Sequence, residues 1–263
     1  MTSILSRICA ALASAVLVVA FELASPAASQ SAAPDLYDVA VQNPARSAED
    51  LKRDEAEHPA EVLRLAGIKP GMRVADVLAA GGYYSELLSY VVGPSGHVLL
   101  LNNEAYDHWS NGGWEKRLDG NRLSNVEHRT VDLEHLNLPE HSLDALILIK
   151  VYHDLYWVNN DPKDVWPKMD AGKVLDQLTR VLKPGGILLI EDHSAKPGTG
   201  SADAGTLHRI DEAYTVRDFQ KRGFKLLAKS DILRRPDDKR ELVSYTPPGL
   251  GKTDRFLLVF RKG

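Results

Sequence analysis

Apolar residues fall in short blocks separated by glycine, proline and charged clusters. Block size alternates between strand-sized and helix-sized. Residues 73–78, 98–101, 126–131, 143–150 and 187–190 are compact apolar-rich runs bounded by turn residues, which predicts strands. The run at 143–150 is continuous rather than alternating, as in a strand covered on both faces. Residues 83–92 and 170–182 space their apolar positions as helices do. A helix over 59–66 is opened by Pro59 and closed by Gly67, and another is predicted near 212–222. Ser47, followed by Glu49 and Asp50, marks a further helix start with a cap and acid in its first turn. Lys69-Pro70-Gly71, Gly93-Pro94-Ser95-Gly96 and Lys183-Pro184-Gly185-Gly186 are turns, and strands at 224–229 and 256–261 close the chain. The polar stretch 103–125, with Trp109 and Trp114, is read as helix and loop. Strands alternating with helices imply an α/β fold, a mostly parallel seven-stranded sheet with helices on both faces and an N-terminal helical extension. Ligands of such sheets bind at the carboxyl ends of the strands, here residues 76–83, 102–104, 150–154 and 191–193.

The pattern differs at the N-terminus. Arg7 precedes an uncharged apolar stretch at 8–21, followed by Pro26 and the small residues Ala27-Ala28-Ser29. Residues 1–29 therefore read as a secretory signal peptide cleaved near Ser29, too short for a comfortable membrane span. The expected location is periplasmic or secreted, with no stable membrane span after cleavage. Residues 30–46, rich in Ala, Ser, Pro and Asn, read as a linker, and 47–263 as one domain that includes the N-terminal helices. Among 263 residues, 44% are hydrophobic and 26% charged, which excludes a disordered, collagen-like or multi-span membrane chain. A net charge of -4 argues against a general nucleic-acid binder and leaves a small-molecule substrate open. The one cysteine, Cys9, excludes a disulfide framework or a zinc ribbon, and its loss on cleavage suits an oxidising compartment.

Several groups carry candidate chemistry. Asp76 with Gly81 and Gly82 forms a strand–turn–helix loop suited to an anion or cofactor, or simply a tight turn. Tyr152-His153-Asp154 emerges from a buried strand. His153 is a candidate general base, Asp154 orients it or binds a cation, and Tyr152 holds a substrate or cofactor amine. Glu191, Asp192 and His193 end the next strand, where alternation sends Glu191 and Asp192 to opposite faces. His208, Arg209 and Asp211 lie in a loop able to fold back over these ends. His153, Asp154, Asp192, His193 and His208 would suit a divalent metal, yet no motif with tight ligand spacing is present, so no metal ligand is assigned. Arg209 either binds a substrate carboxylate or phosphate or pairs with Asp211 or Asp231. Trp157 and Trp166 are candidates for an apolar substrate wall, and Arg53, Asp54 and His58 for a lid or a solvated face. No nucleophile elbow, Walker loop or zinc-protease helix appears in the sequence.

Val74-Ala75-Asp76 followed by Ala79-Ala80-Gly81-Gly82-Tyr83 resembles the first motif of class I S-adenosylmethionine-dependent methyltransferases. Leu182-Lys183-Pro184-Gly185-Gly186 is similar to the turn before their fifth strand, and the passage from Asp132 through Leu138-Pro139 to Asp144 to their third-to-fourth strand connection. Tyr152-His153-Asp154-Leu155, Asp192-His193, Leu207-His208-Arg209-Ile210-Asp211, Ser230-Asp231-Ile232-Leu233-Arg234 and Gly251-Lys252-Thr253-Asp254 resemble a narrower bacterial group of methyltransferases that often carry export signals. The resemblance implies S-adenosyl-L-methionine as cofactor, held by Asp76, Gly81, Gly82, Tyr83, Asn102, Glu104, Asp132 and Tyr152. The residues themselves place the expected acceptor chemistry at His153, Asp154, Asp192, His193 and His208, with His153 as base and Asp154 or Asp192 assisting. The chain departs from the family where Leu78 and Ala80 replace glycines and Asn102 replaces the ribose-binding acid, for which Glu104 is a substitute. The expected function is methyl transfer to an oxygen or nitrogen atom of a small molecule. The alternatives are an exported binding or accessory protein that has lost the reaction, and a metal-dependent enzyme using the His/Asp cluster. S-adenosylmethionine is made in the cytosol, which sets the export signal against the first reading.

Overall fold

The computed structural model describes residues 35–158 and 165–263. The expected signal peptide, its cleavage site, the first residues of the expected linker and part of the loop between Trp157 and Trp166 lie outside the described residues. Seven strands form one sheet: β1 (Arg73–Val77), β2 (His97–Asn102), β3 (Val126–Thr130), β4 (Leu143–Ile149), β5 (Leu182–His193), β6 (Phe224–Ser230) and β7 (Arg255–Lys262). Their order is β3-β2-β1-β4-β5-β7-β6, parallel except that β7 runs antiparallel to both its neighbours. The order reverses between β1 and β4, which places the switch point at the ends of those strands.

Alternating side chains of the central strands feed two cores. Leu146 and Leu148 of β4 pack into one, Ala145 and Ile147 into the other, which is why that strand is apolar throughout. Helix α4 (Tyr83–Val92) covers one face, starting at the left-handed Gly82 and ending at Gly93. Helix α7 (Ala171–Val181) covers the other with Val174, Leu175, Leu178 and Val181, its N-terminus capped by Asp170. The helices expected at the N-terminus are α2 (Ala48–Glu57), capped by Ser47, and α3 (Pro59–Ala66). Helices α8 (Ala204–Leu207) and α9 (Glu212–Lys221), the second capped by Asp211, precede the closing strands.

Three sequence expectations change. Within the segment read as a linker, Leu36–Val41 is a helix, α1, capped by Asp35, with Ala40 buried and the Tyr37 hydroxyl donating to the Ile68 carbonyl at 2.8 Å. Its single turn and a half is too short to show a period above an Ala- and Ser-rich background. The stretch 103–125 holds two helices, α5 (Glu104–Ser110) and α6 (Gly113–Leu118), and a 3-10 turn. Strand β5 begins at Leu182, and its ladder with β4 steps from Leu182 to Ile187 across the Pro-Gly-Gly bulge. No helix among the described residues is long and apolar enough to cross a membrane.

Candidate active site

At the end of β1 the chain turns through Leu78, Ala80 and Gly82, all at positive φ. At Gly82, φ 76°, a side chain would be strained and its Cβ would meet Leu100 Cδ1 at 2.7 Å, forcing that leucine to shift. Leu78 packs its side chain into the core with Leu99 and Leu101. Asn102, at the end of β2, braces the turn from both sides. Its Oδ1 accepts from the Ala80 N–H at 2.9 Å, and its Nδ2 donates to the Ala80 carbonyl at 3.0 Å and to Asp107 Oδ1 at 2.8 Å. Helix α6 closes over the turn: Gly113 lies against Gly81, and Arg117 donates to the Gly81 carbonyl while pairing with Asp50 and Glu86. Asp76 is buried and accepts from the Ser85 hydroxyl at 2.7 Å. Burial raises its carboxyl to about 7, against the opposing pull of the Ser85 bonds and the Arg53 and Arg117 charges. A cavity of about 260 Å³ opens here between Arg53, Asp76, Ala80, Gly81, Tyr83 and Lys150.

The ends of β4 and β5 build a different site. The His153 backbone N–H donates to Asp192 Oδ2 at 2.8 Å and its ring Nδ1 bonds Asp192 Oδ1 at 2.7 Å, so one carboxylate fixes both main chain and ring. The ring's other nitrogen meets Asp154 Oδ1 at 3.1 Å and His208 Nδ1 at 3.3 Å. Tyr106 donates to Asp154 Oδ2 at 2.6 Å, and His193 shares a hydrogen bond with Thr253 at 2.7 Å. Burial opposes a charge on His153, but the Asp154 and Asp192 carboxylates overcome it and raise the ring to about 10. Without a ligand the ring is therefore protonated at neutral pH, not the free base expected from an ordinary histidine. His193 is held well below the ordinary value by burial and by the positive charges of His153, Lys150 and Arg255. A cavity of about 610 Å³ collects His153, Asp154, His193 and His208, the aromatic walls Tyr106, Trp109, Trp157 and Tyr245, and the cations Lys150 and Arg255.

The structure thus brings together all five expected chemistry residues, with Asp192 behind His153 and the other four on the cavity wall. Glu191 and Asp192 do point opposite ways: Glu191 pairs with Arg255 at 2.6 Å. Other assignments change. Tyr152 is fully buried and its hydroxyl donates to Asp218 at 2.7 Å, inside the core and away from the glycine turn. Arg209 pairs with Asp238 at 2.8 Å, not with Asp211, Asp231 or a substrate. Glu104 sits exposed in the first turn of α5, and the Asp132 side chain, 63% exposed, bonds His135 at 2.7 Å. Trp157 lines the large cavity, whereas Trp166 is buried behind it against Trp157 and Trp109. Of the lid candidates, Arg53 lies 4.0 Å over the Tyr83 ring and Asp54 pairs with Arg46, so α2 is part of the wall. Sequence reasoning missed Tyr106, Glu57 and Arg255, and placed Lys150 at a ligand-binding strand end without giving it a role. Lys150 donates to Glu57 at 2.7 Å, beside Arg255. The available signal was weak, a lysine ending an apolar strand and an arginine opening another.

Residues 76–190 match the sequence family described as a methyltransferase domain. The ubiquinone/menaquinone biosynthesis C-methyltransferase UbiE of Ectopseudomonas mendocina is 32% identical over 136 residues, covering 52% of this chain and 47% of that protein. The chain thus matches about half the length of this curated relative. Among solved structures, a SAM-dependent methyltransferase from Aquifex aeolicus aligns over 82% of this chain and 97% of its own, with a TM-score of 0.55 and 22% identity. The cyclase SpnF aligns over 82% of each chain, with a TM-score of 0.54 and 17% identity, so the fold alone does not name the reaction. The Aquifex aeolicus protein is a SAM-dependent methyltransferase, which makes S-adenosylmethionine the cofactor to test against the residues of this chain. The residues at the end of β1 fit its amino-acid half: the buried Asp76 carboxylate and the Ala80–Gly81 backbone border a cavity of suitable polarity. At the end of β2 the fit departs from the family, since Asn102 is spent on the turn and neither Glu104 nor Asp132 borders this cavity. The switch-point topology and the glycine turn give this chain the fold of these methyltransferases, and residues 76–190 within it match the methyltransferase-domain family.

Proposed function

We propose that this protein transfers a methyl group to an oxygen or nitrogen atom of a flat small molecule bound in the 610 Å³ cavity. The observation that carries the reading is the junction of the two cavities. Ala80, Tyr106 and Lys150 border both, so the cofactor turn and the His/Asp cluster open onto adjoining space. S-adenosylmethionine, when bound, supplies an electrophilic methyl group. The chain's own contribution is alignment and charge. Asp76 and the Ala80–Gly81 backbone hold the amino-acid half of the cofactor. Tyr106, Trp109, Trp157 and Tyr245 orient a planar acceptor. The acceptor's proton leaves toward His208, which borders the same cavity, while the protonated His153 and the Asp154 carboxylate position that ring.

A second reading places the new methyl group on a ring carbon, and the name of the UbiE relative, a C-methyltransferase, favours it. The two share a site and differ in product. The test begins with calorimetric titration of the purified full chain with S-adenosylhomocysteine. It continues with labelled S-adenosylmethionine and a set of catechols, hydroquinones and aromatic amines, the products being assigned by NMR. Binding followed by O- or N-methylation is expected, and a ring-methylated product would establish the second reading. An Asp154→Ala variant should bind S-adenosylhomocysteine within about twofold of wild type while losing about 10²–10⁴ in turnover. Absence of S-adenosylhomocysteine binding by folded protein would overturn both readings.

A further inference from the structure

We propose that His153 Nε2, Asp154 Oδ1 and His208 Nδ1 form a binding site for one divalent first-row transition-metal ion. The inference goes beyond methyl transfer and does not depend on it. The three atoms form a near-equilateral triangle with edges of 3.1, 3.3 and 3.3 Å. Three ligands held about 2.1 Å from one ion, at angles between octahedral and tetrahedral, stand about 3.0–3.4 Å apart. Hydrogen bonding alone serves this triangle poorly. If both rings donate to the carboxylate, two N–H groups face each other at 3.3 Å; otherwise one N–H serves two acceptors. A cation accepts all three lone pairs.

The surroundings fix each ligand from behind. Asp192 takes the Nδ1 proton of His153 and thereby aims Nε2 at the triangle, the carboxylate–histidine arrangement that supports metal sites. The Tyr106 hydroxyl occupies Asp154 Oδ2 and leaves Oδ1 to the triangle. His208 is set by a left-handed backbone, φ 50°, with its ring packed between Trp157 and Tyr245. All three ligands border the 610 Å³ cavity, so further coordination positions face the space a small oxygen-bearing molecule would enter. Two imidazoles and one carboxylate suit zinc, iron(II), manganese or cobalt better than magnesium or calcium, which take mostly oxygen. The sequence grouped these three among five candidate residues without a tight ligand spacing, because two ligands are consecutive, on a 3-10 turn, and the third lies in a separate loop.

The test uses the full chain freed of metal with a chelator and titrated separately with Zn²⁺, Mn²⁺ and Co²⁺. Binding of one ion per chain is expected for at least one of them, and the visible absorption of bound Co²⁺ reports imidazole–carboxylate coordination. His208→Gln and Asp154→Asn should each weaken binding at least about tenfold, and Asp192→Asn, acting from behind His153, by about 10–100-fold. Circular dichroism confirms that each variant folds. His208 is the least buried ligand, so its variant keeps the test informative if a variant of the deeper residues does not fold. No stoichiometric binding by folded wild type, or binding unchanged in His208→Gln, would overturn the proposal. Titration of the metal-free protein with S-adenosylhomocysteine reads the methyltransferase assignment separately.

Discussion

Two neighbouring strand ends of one sheet pair their polar groups within the chain but expose them to very different cavities. Around the glycine turn after β1, charges are paired within the chain. Arg117 is shared between Asp50 and Glu86, Arg122 adds to Glu86, and Asn102 binds the turn itself. At the ends of β4 and β5 the ionisable groups are paired as well, His153 with Asp192 and Lys150 with Glu57, but His153, Asp154, His193, His208, Lys150 and Arg255 all also border the large cavity. Polar groups closed on one another add rigidity. Polar groups held in place and facing a cavity are ready to bind a ligand. The first end is a braced turn beside a small cavity and the second lines a large one, the division of labour that the proposed function uses.

The largest effect that sharpens this contrast comes from a buried acid beside the turn that makes no ion pair among the described residues. Asp76 is buried against Ser85, and burial raises it from 3.8 to about 7. An acid whose folded value is raised holds its proton more tightly in the folded chain. Its stabilisation is complete below 3.8 and is lost as pH rises through about 7. Comparing wild type with Asp76→Asn in urea at about pH 5 and about pH 8 isolates this group from the depressed carboxylates, whose slopes have the opposite sign. The wild type should lose about 3 kcal/mol relative to the variant over that window. A difference independent of pH would show that Asp76 is ionised in the fold and that the closed end is fully charge-compensated.

Arg117→Ala attacks the closure directly. It removes the donor to the Gly81 carbonyl and one cation from Asp50 and Glu86. Removing one partner of a buried pair costs about 3–5 kcal/mol, but Glu86 keeps Arg122, so about 2 kcal/mol is expected in denaturation. Affinity for S-adenosylhomocysteine should fall with it, while metal binding at the His153 cluster stays unchanged. A loss of metal binding would mean that the two ends are not separable.

The contrast also explains what the sequence made legible. Strand β4 was readable because burial on both faces leaves an unbroken apolar run, and α4 because Gly82 and Gly93 bracket a helical period. The turn after β1 was readable for the same local reason. The large site was half readable. His153, Asp154, Asp192 and His193 sit at strand ends that topology brings together, whereas Tyr106 and Arg255 join through contacts distant in sequence. Tyr152 and Arg209 show the limit most clearly. Both occupy places where a polar residue suggests function, and both are fully buried with internal partners, Asp218 and Asp238, that local pattern does not reveal.

The smallest expected effect decides what Asn102 is for. By position it replaces the acid that holds a ribose in related methyltransferases, so Asn102→Asp restores the family residue. If the position served the cofactor, the variant would bind S-adenosylhomocysteine more tightly. The structure gives Asn102 another task. Its amide nitrogen donates to the Ala80 carbonyl and to Asp107, and its oxygen accepts from the Ala80 N–H. A carboxylate keeps the last bond, loses the two donations and sets a negative charge against Asp107. Asn102→Asp should therefore cost about 1 kcal/mol of stability and leave S-adenosylhomocysteine affinity equal or weaker. Calorimetry and urea denaturation read both. A gain in affinity would return Asn102 to the cofactor site and erase the distinction between a closed scaffold and an open pocket.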